Sequence, residues 1–146
     1  MGLAAIARSL PLRITAGAFI LNSGLSKWNA DKETAAMLHG TAVTAYPFLA
    51  KMKPEDFTKL LSVSEVAVGA VLLVPVVPTA IAGVALTGFS SALLGLYLTI
   101  PGMRQEGSLR PTQQGIALAK DSWLLGMGLG LTMDAITSGA SKSSED

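Results

Sequence analysis

The chain has 146 residues, half of them apolar, a net charge of +1 and only 14% charged residues, against about 25% in ordinary soluble domains. With a mean hydropathy of +0.50, this points to one all-α integral membrane domain and offers no basic surface for nucleic acid. The absence of cysteine excludes disulfides, thiol redox chemistry and thiolate metal sites, and a single His39 builds no multi-histidine metal or haem site.

In chain order, Arg8 and Arg13 precede an apolar run over 14–25 that resembles a signal sequence. The residues that follow, Ser26, Lys27, Trp28 and Asn29, are not a small-residue cleavage site, so an uncleaved first span over about 12–28 is expected. Pro11 suits the first turn of that helix, and Lys27 and Trp28 suit an interfacial end. The long connection that follows is expected to be ordered and partly helical. Ala35, Leu38, Ala42, Ala45 and Leu49 share one helical face, with Gly40 and Pro47 as weak points, and a helix start is expected at Lys53-Pro54-Glu55-Asp56.

Residues 66–100 contain no charge. A straight helix over them would be about 52 Å long, against a hydrocarbon core about 30 Å thick. The chain must turn back, and Pro75 and Pro78 mark where. Counting from that turn gives spans over about 60–77 and 79–100, with Glu65 drawn inside. The uncharged run 122–133 is too short alone, so the fourth span is expected over about 116–136, carrying Lys120 and Asp121 to the membrane edge. Residues 1–137 then form a four-helix transmembrane bundle, and 138–146 a flexible polar tail.

An up-and-down path places Lys27, Glu65, Lys120 and Asp121 at one depth, and Arg13 level with Asp134 at the other face. Charges in hydrocarbon are costly and turn inward or pair. Two readings follow. The pairs staple the helices together, or they line a polar pocket for a quinone head, a lipid head or a proton. A third outcome is snorkelling, in which the residues never meet. Small residues at packing intervals, Gly17, Gly24 and Gly69 in the first two spans, Ala85, Gly88, Ala92 and Gly95 in the third, and Gly115, Ala119, Ser122, Gly126 and Gly130 in the fourth, predict close helix approach within the bundle, or else a docking face for another subunit. His39 reads as a surface or hydrogen-bonded residue, and Tyr97 and Trp123 as packing or interfacial aromatics. No phosphate loop, nucleophile triad or metal-ligand motif is present, so no catalytic or metal residue is assigned.

Eight basic residues fall in the first and third loops with the adjoining Lys120, against Arg8, Arg13 and Lys142 on the other side. This predicts cytoplasmic loops and both termini outside.

Arg13-x-x-x-Gly17 and Gly24-x-x-Lys27 in span one, Glu65-x-x-x-Gly69 in span two and Lys120-Asp121 opening span four resemble the DoxX-like family of small bacterial membrane proteins, over roughly residues 8–135. The first loop with Leu38-His39-Gly40 and Ala45-Tyr46-Pro47-Phe48, and the segment from Arg104-Gln105-Glu106-Gly107-Ser108 to Arg110-Pro111-Thr112-Gln113, resemble an actinobacterial branch. The resemblance implies a four-helix bundle in the bacterial cell membrane, associated with membrane redox systems. The family takes its name from a small subunit of a quinol oxidase or thiosulfate:quinone oxidoreductase. The expectation is a non-enzymatic accessory subunit of a respiratory or redox assembly, with lipids and other membrane subunits as partners and a quinone or lipid as its ligand. The alternatives are a stand-alone quinone-linked oxidoreductase and a small transporter. The lack of cysteine argues against direct sulfur transfer.

Overall fold

A computed structural model describes residues 3–143. Its helices are α1 (Leu3–Lys27), α2 (Lys32–Ala45), α3 (Pro54–Leu73), α4 (Thr79–Thr99), α5 (Ile116–Ala119) and α6 (Asp121–Ser143), with a 3₁₀ turn over Pro47–Lys51. Among the described residues there is no strand; Arg104 and Pro111 make one isolated bridge.

α1 begins well before the expected position, so Pro11 lies inside it rather than in its first turn. The cost is the one amide bond that proline cannot make. Asp31 caps α2 by accepting from the Thr34 amide at 2.8 Å, and that bond holds its carboxyl below the ordinary carboxylate range. Pro47 ends the helical path and opens the 3₁₀ turn. α3 is longer than the expected span, because the helix start at Pro54, with Glu55 and Asp56 favourably placed in its first turn, runs on without a break.

The two helices expected on either side of the proline pair are separate. α3 stops at Leu73, Pro75 and Pro78 occupy the turn over 74–78, and α4 starts at Thr79. The helix expected over 116–136 is instead two pieces. The Trp123 amide reaches back three residues to the Lys120 carbonyl at 2.9 Å, which tightens the backbone and separates α5 from α6. α6 then continues through Ser143, so the expected frayed tail is helical as far as it is described; residues 144–146 lie outside the described residues.

The helices form two close antiparallel pairs. α1 packs on α3, with Gly17 against Leu72 and Leu73, and Gly24 against the backbone over 62–66. α4 packs on α6, with Gly83 against Thr132 and Gly128 against Thr87. Ala16, Ile20, Leu72, Ala82, Leu86 and Leu131 join the pairs in one buried cluster near the α3–α4 turn. Of the described helices, α4 alone, with 21 residues and a mean hydropathy of 1.7 in its best window, is both long and apolar enough to cross a membrane.

Candidate functional site

The end of the bundle away from the α3–α4 turn is hollow. The second halves of α1 and α4, the first half of α3 and the start of α6 line, with α2 across them, a half-open cavity of about 550 Å³. Its walls are mostly apolar, with Phe57, Leu61, Phe89 and Leu93 among them.

Polar groups gather along one wall. The Lys27 ammonium lies 3.1 and 3.0 Å from the two Glu65 carboxylate oxygens, and also donates to the Ser23 hydroxyl at 2.6 Å and the Ser23 carbonyl at 3.1 Å. The Ser23 hydroxyl in turn donates to Glu65 Oε1 at 3.1 Å. Glu65 is 5% exposed while Ser23 and Lys27 are partly buried, so the carboxylate lies in the protein interior beside a cation that still reaches solvent. It is tenable because the charges neutralise each other and the donors are matched. The chain folds locally to allow it: Gly24 lets α3 approach until the Ser62 hydroxyl donates to the Gly24 carbonyl at 2.8 Å, which brings Glu65 level with Lys27.

Asp121 stands on another part of the wall. It is partly buried and makes no hydrogen bond or ion pair among the described residues. Together with Phe19 and Leu124 it also borders a second cavity, of about 510 Å³, between α1 and the α5–α6 junction. Lys120 lines that second cavity and is exposed. Of the expected charged layer, then, Lys27, Glu65 and Asp121 meet at one cavity, and Lys120 does not reach it.

The expected Arg13–Asp134 pair does not form. Arg13, 2% exposed, donates instead to the carbonyls of Val71, Leu72, Val74 and Val77 at 2.7–3.1 Å. A helix end leaves carbonyls without partners, and a forked cation satisfies several at once. Asp134 pairs with Arg8 at 3.2 Å on the surface. Among the glycines, Gly17, Gly24 and Gly69 sit at helix contacts as expected, and Gly95 makes room for the Tyr46 hydroxyl. Gly88, Gly126 and Gly130 do not; a side chain at any of them would meet open space. The α4–α6 contact is made by Gly83 and Gly128 instead.

His39 bonds the Leu49 carbonyl through Nε2 at 2.9 Å and leans on Phe57, tying α2 to the turn after it. Lys59 lies 4.1 Å above the Trp28 ring. Ser23 was not singled out in the sequence, although its position four residues before Lys27 places both on one helical face. Tyr46, whose hydroxyl donates to the Ala92 carbonyl at 2.7 Å and closes α2 over the cavity, gives no comparable signal, because its partner is a distant backbone atom. Among the described residues no three His, Cys, Asp or Glu side chains are grouped to hold a metal ion. Comparison with protein-family models, characterised proteins and solved structures finds no match to the chain.

Proposed function

We propose that this chain is a four-span protein of the bacterial cell membrane, both termini outside, that holds a quinone or lipid in the cavity under α2 and serves as an accessory subunit of a membrane redox assembly. The observation that carries the reading is the cavity itself. About 550 Å³ lies within the roughly 300–1,000 Å³ of small-molecule sites, which are apolar with a few placed polar groups. Apolar walls beside the Ser23–Lys27–Glu65 cluster and Asp121 suit a ligand with a greasy body and a small polar head.

The distribution of side chains supports the multi-span reading. Ile14, Ile81, Val84, Leu129 and Ile136 are exposed, while Arg13, Ser62, Glu65 and Ser90 are buried. Water would disfavour that arrangement and lipid favours it. The resemblance of the Arg13, Gly24–Lys27, Glu65 and Lys120-Asp121 motifs to DoxX-like proteins supports the redox association.

The test is purification from membranes in mild detergent, followed by native gel migration and organic extraction. The expected result is co-migration with larger membrane subunits and about one quinone or lipid per chain, lost when Leu93→Trp fills the cavity. A chain that migrates alone and yields no bound quinone or lipid overturns the reading.

A further inference from the structure

The cavity's hydrogen-bonding inventory is one-sided. Each side-chain donor on its wall already has a protein acceptor. Lys27 has three protons and four acceptors within reach. Ser23 donates to Glu65, Thr41 to the Met37 carbonyl, Tyr46 to the Ala92 carbonyl and Ser64 to the Leu60 carbonyl. What remains on offer to a ligand is acceptors, and among the charged ones the Asp121 carboxylate, which lines the cavity without a side-chain partner among the described residues, is the most open, since Glu65 is already taken up by Lys27 and Ser23. An ionised carboxylate only accepts hydrogen bonds.

We propose that the cavity is selective for amphiphiles whose head donates a hydrogen bond, with Asp121 as the accepting group. A head carrying only acceptors, such as a ketone or an ether, would set its oxygen beside a carboxylate with no proton between them, and would lose its water without replacement. A head carrying a hydroxyl or an ammonium supplies the missing proton. This rests on the reading that the cavity takes an amphiphile, and it adds which chemical form of the head is retained: for a quinone-type ligand the reduced, hydroxyl-bearing quinol rather than the quinone, and for a lipid a head with a hydroxyl or ammonium.

The experiment uses the full chain in lipid nanodiscs at mildly alkaline pH, where a carboxyl is ionised. Three probes of equal chain length, a 4-alkylphenol, its methyl ether and an alkylamine, are titrated, with empty nanodiscs correcting for partition into lipid. The phenol should bind at least about tenfold more tightly than the ether, the scale of a hydrogen bond to a charged group. Asp121→Leu should bring the two together without weakening the ether. Asp121→Asn, which keeps a carbonyl acceptor and adds a donor, should narrow the gap by improving the ether, and it guards against misfolding of the leucine variant. An amine that binds more tightly than the phenol identifies the retained head as cationic, and a weaker one identifies it as a neutral hydroxyl; both retain the donor rule. Equal binding of phenol and ether by the native chain, or a preference that survives Asp121→Leu, overturns the selectivity and leaves the cavity reading standing. Failure of all three probes to bind overturns both.

Discussion

Both helix pairs approach closely at glycines, Gly17, Gly24 and Gly69 in one and Gly83 and Gly128 in the other, but the first carries a polar fastening as well. α1 and α3 are fastened by polar groups: Arg13 clamps the end of α3 at one extremity, and the Lys27–Glu65 ion pair with the Ser62–Gly24 bond fastens the other. α4 and α6 approach through small residues. They meet where Gly83 faces Thr132 and Gly128 faces Thr87, the absence of a side chain on one helix admitting a small one from the other. Polar fastening fixes register through directional bonds, whereas small-residue contact fixes only the distance of approach.

If that contrast is right, the largest single loss of stability comes from the α1–α3 clamp. Arg13→Met leaves the carbonyls that close α3 without a donor, at about 1–3 kcal/mol for each one stranded. A total near 3 kcal/mol is expected in thermal unfolding of the purified chain in detergent. Arg13→Lys should recover less than half, since a compact ammonium cannot fork to four carbonyls. A methionine variant that melts with the native chain would show the guanidinium to be a bystander.

The next effect probes the other pair. A β-carbon on Gly128 would lie 2.7 Å from the Thr87 amide nitrogen, and one on Gly83 2.7 Å from that of Thr132, so the conflict is with backbone and cannot be relieved by a rotamer change. Gly128→Val and Gly83→Val should each cost about 2 kcal/mol, within the usual range for overpacking. Because both strike one contact, their combination should cost less than the sum. Full additivity would mean that the two glycines serve separate interfaces.

The same contrast separates what the sequence disclosed from what it hid. A charge inside an apolar helix is expensive enough to demand a partner or an inward turn, so Lys27, Glu65 and Arg13 stand out in the sequence, with stapling and pocket-lining both open. Which partner each takes was less legible. Arg13 finds backbone carbonyls, which look alike at every position in a sequence, and so its expected pairing with Asp134 does not occur. Glycines are harder still. Gly126, Gly128 and Gly130 alternate along α6, and at 100° per residue the middle one faces nearly opposite to its neighbours. The interval of four between Gly126 and Gly130, a Gly-x-x-x-Gly spacing, marks the outer two for close approach, while the contact uses Gly128 with Thr132 four residues on. The cavity was the least legible feature, because it depends on where α2 settles.

A third prediction concerns the ion pair. The Glu65 and Lys27 side chains are 7% and 19% exposed, so solvent screens their attraction only in part. A double-mutant cycle of Glu65→Gln with Lys27→Met should give a coupling of about 1–2 kcal/mol. Lys120 opens onto the other cavity, so Glu65→Gln with Lys120→Met should be additive within about 0.5 kcal/mol. Coupling to Lys120 as large as that to Lys27 would place all three in one network and remove the distinction between the two cavities.

The smallest expected effect makes the sharpest use of the comparison, because it asks three glycines of one helix to behave differently. At Gly126 and Gly130 an added β-carbon meets no atom within 4 Å, whereas at Gly128 it meets Thr87 Oγ1 at 2.6 Å and two backbone atoms within 3.0 Å. Alanine in a helix interior is better than glycine by about 0.5–1 kcal/mol, since it has less backbone freedom to lose on folding. Gly126→Ala and Gly130→Ala should therefore leave the melting temperature of the isolated chain unchanged or raise it slightly, and Gly128→Ala should lower it. The propensity gain is available at all three sites and cancels in the comparison, so the sign difference reports the helix contact alone. A loss at Gly126 or Gly130 equal to that at Gly128 would mean that α6 presents its Gly-x-x-x-Gly face to α4, and the register drawn for this pair would have to be rotated by about half a turn.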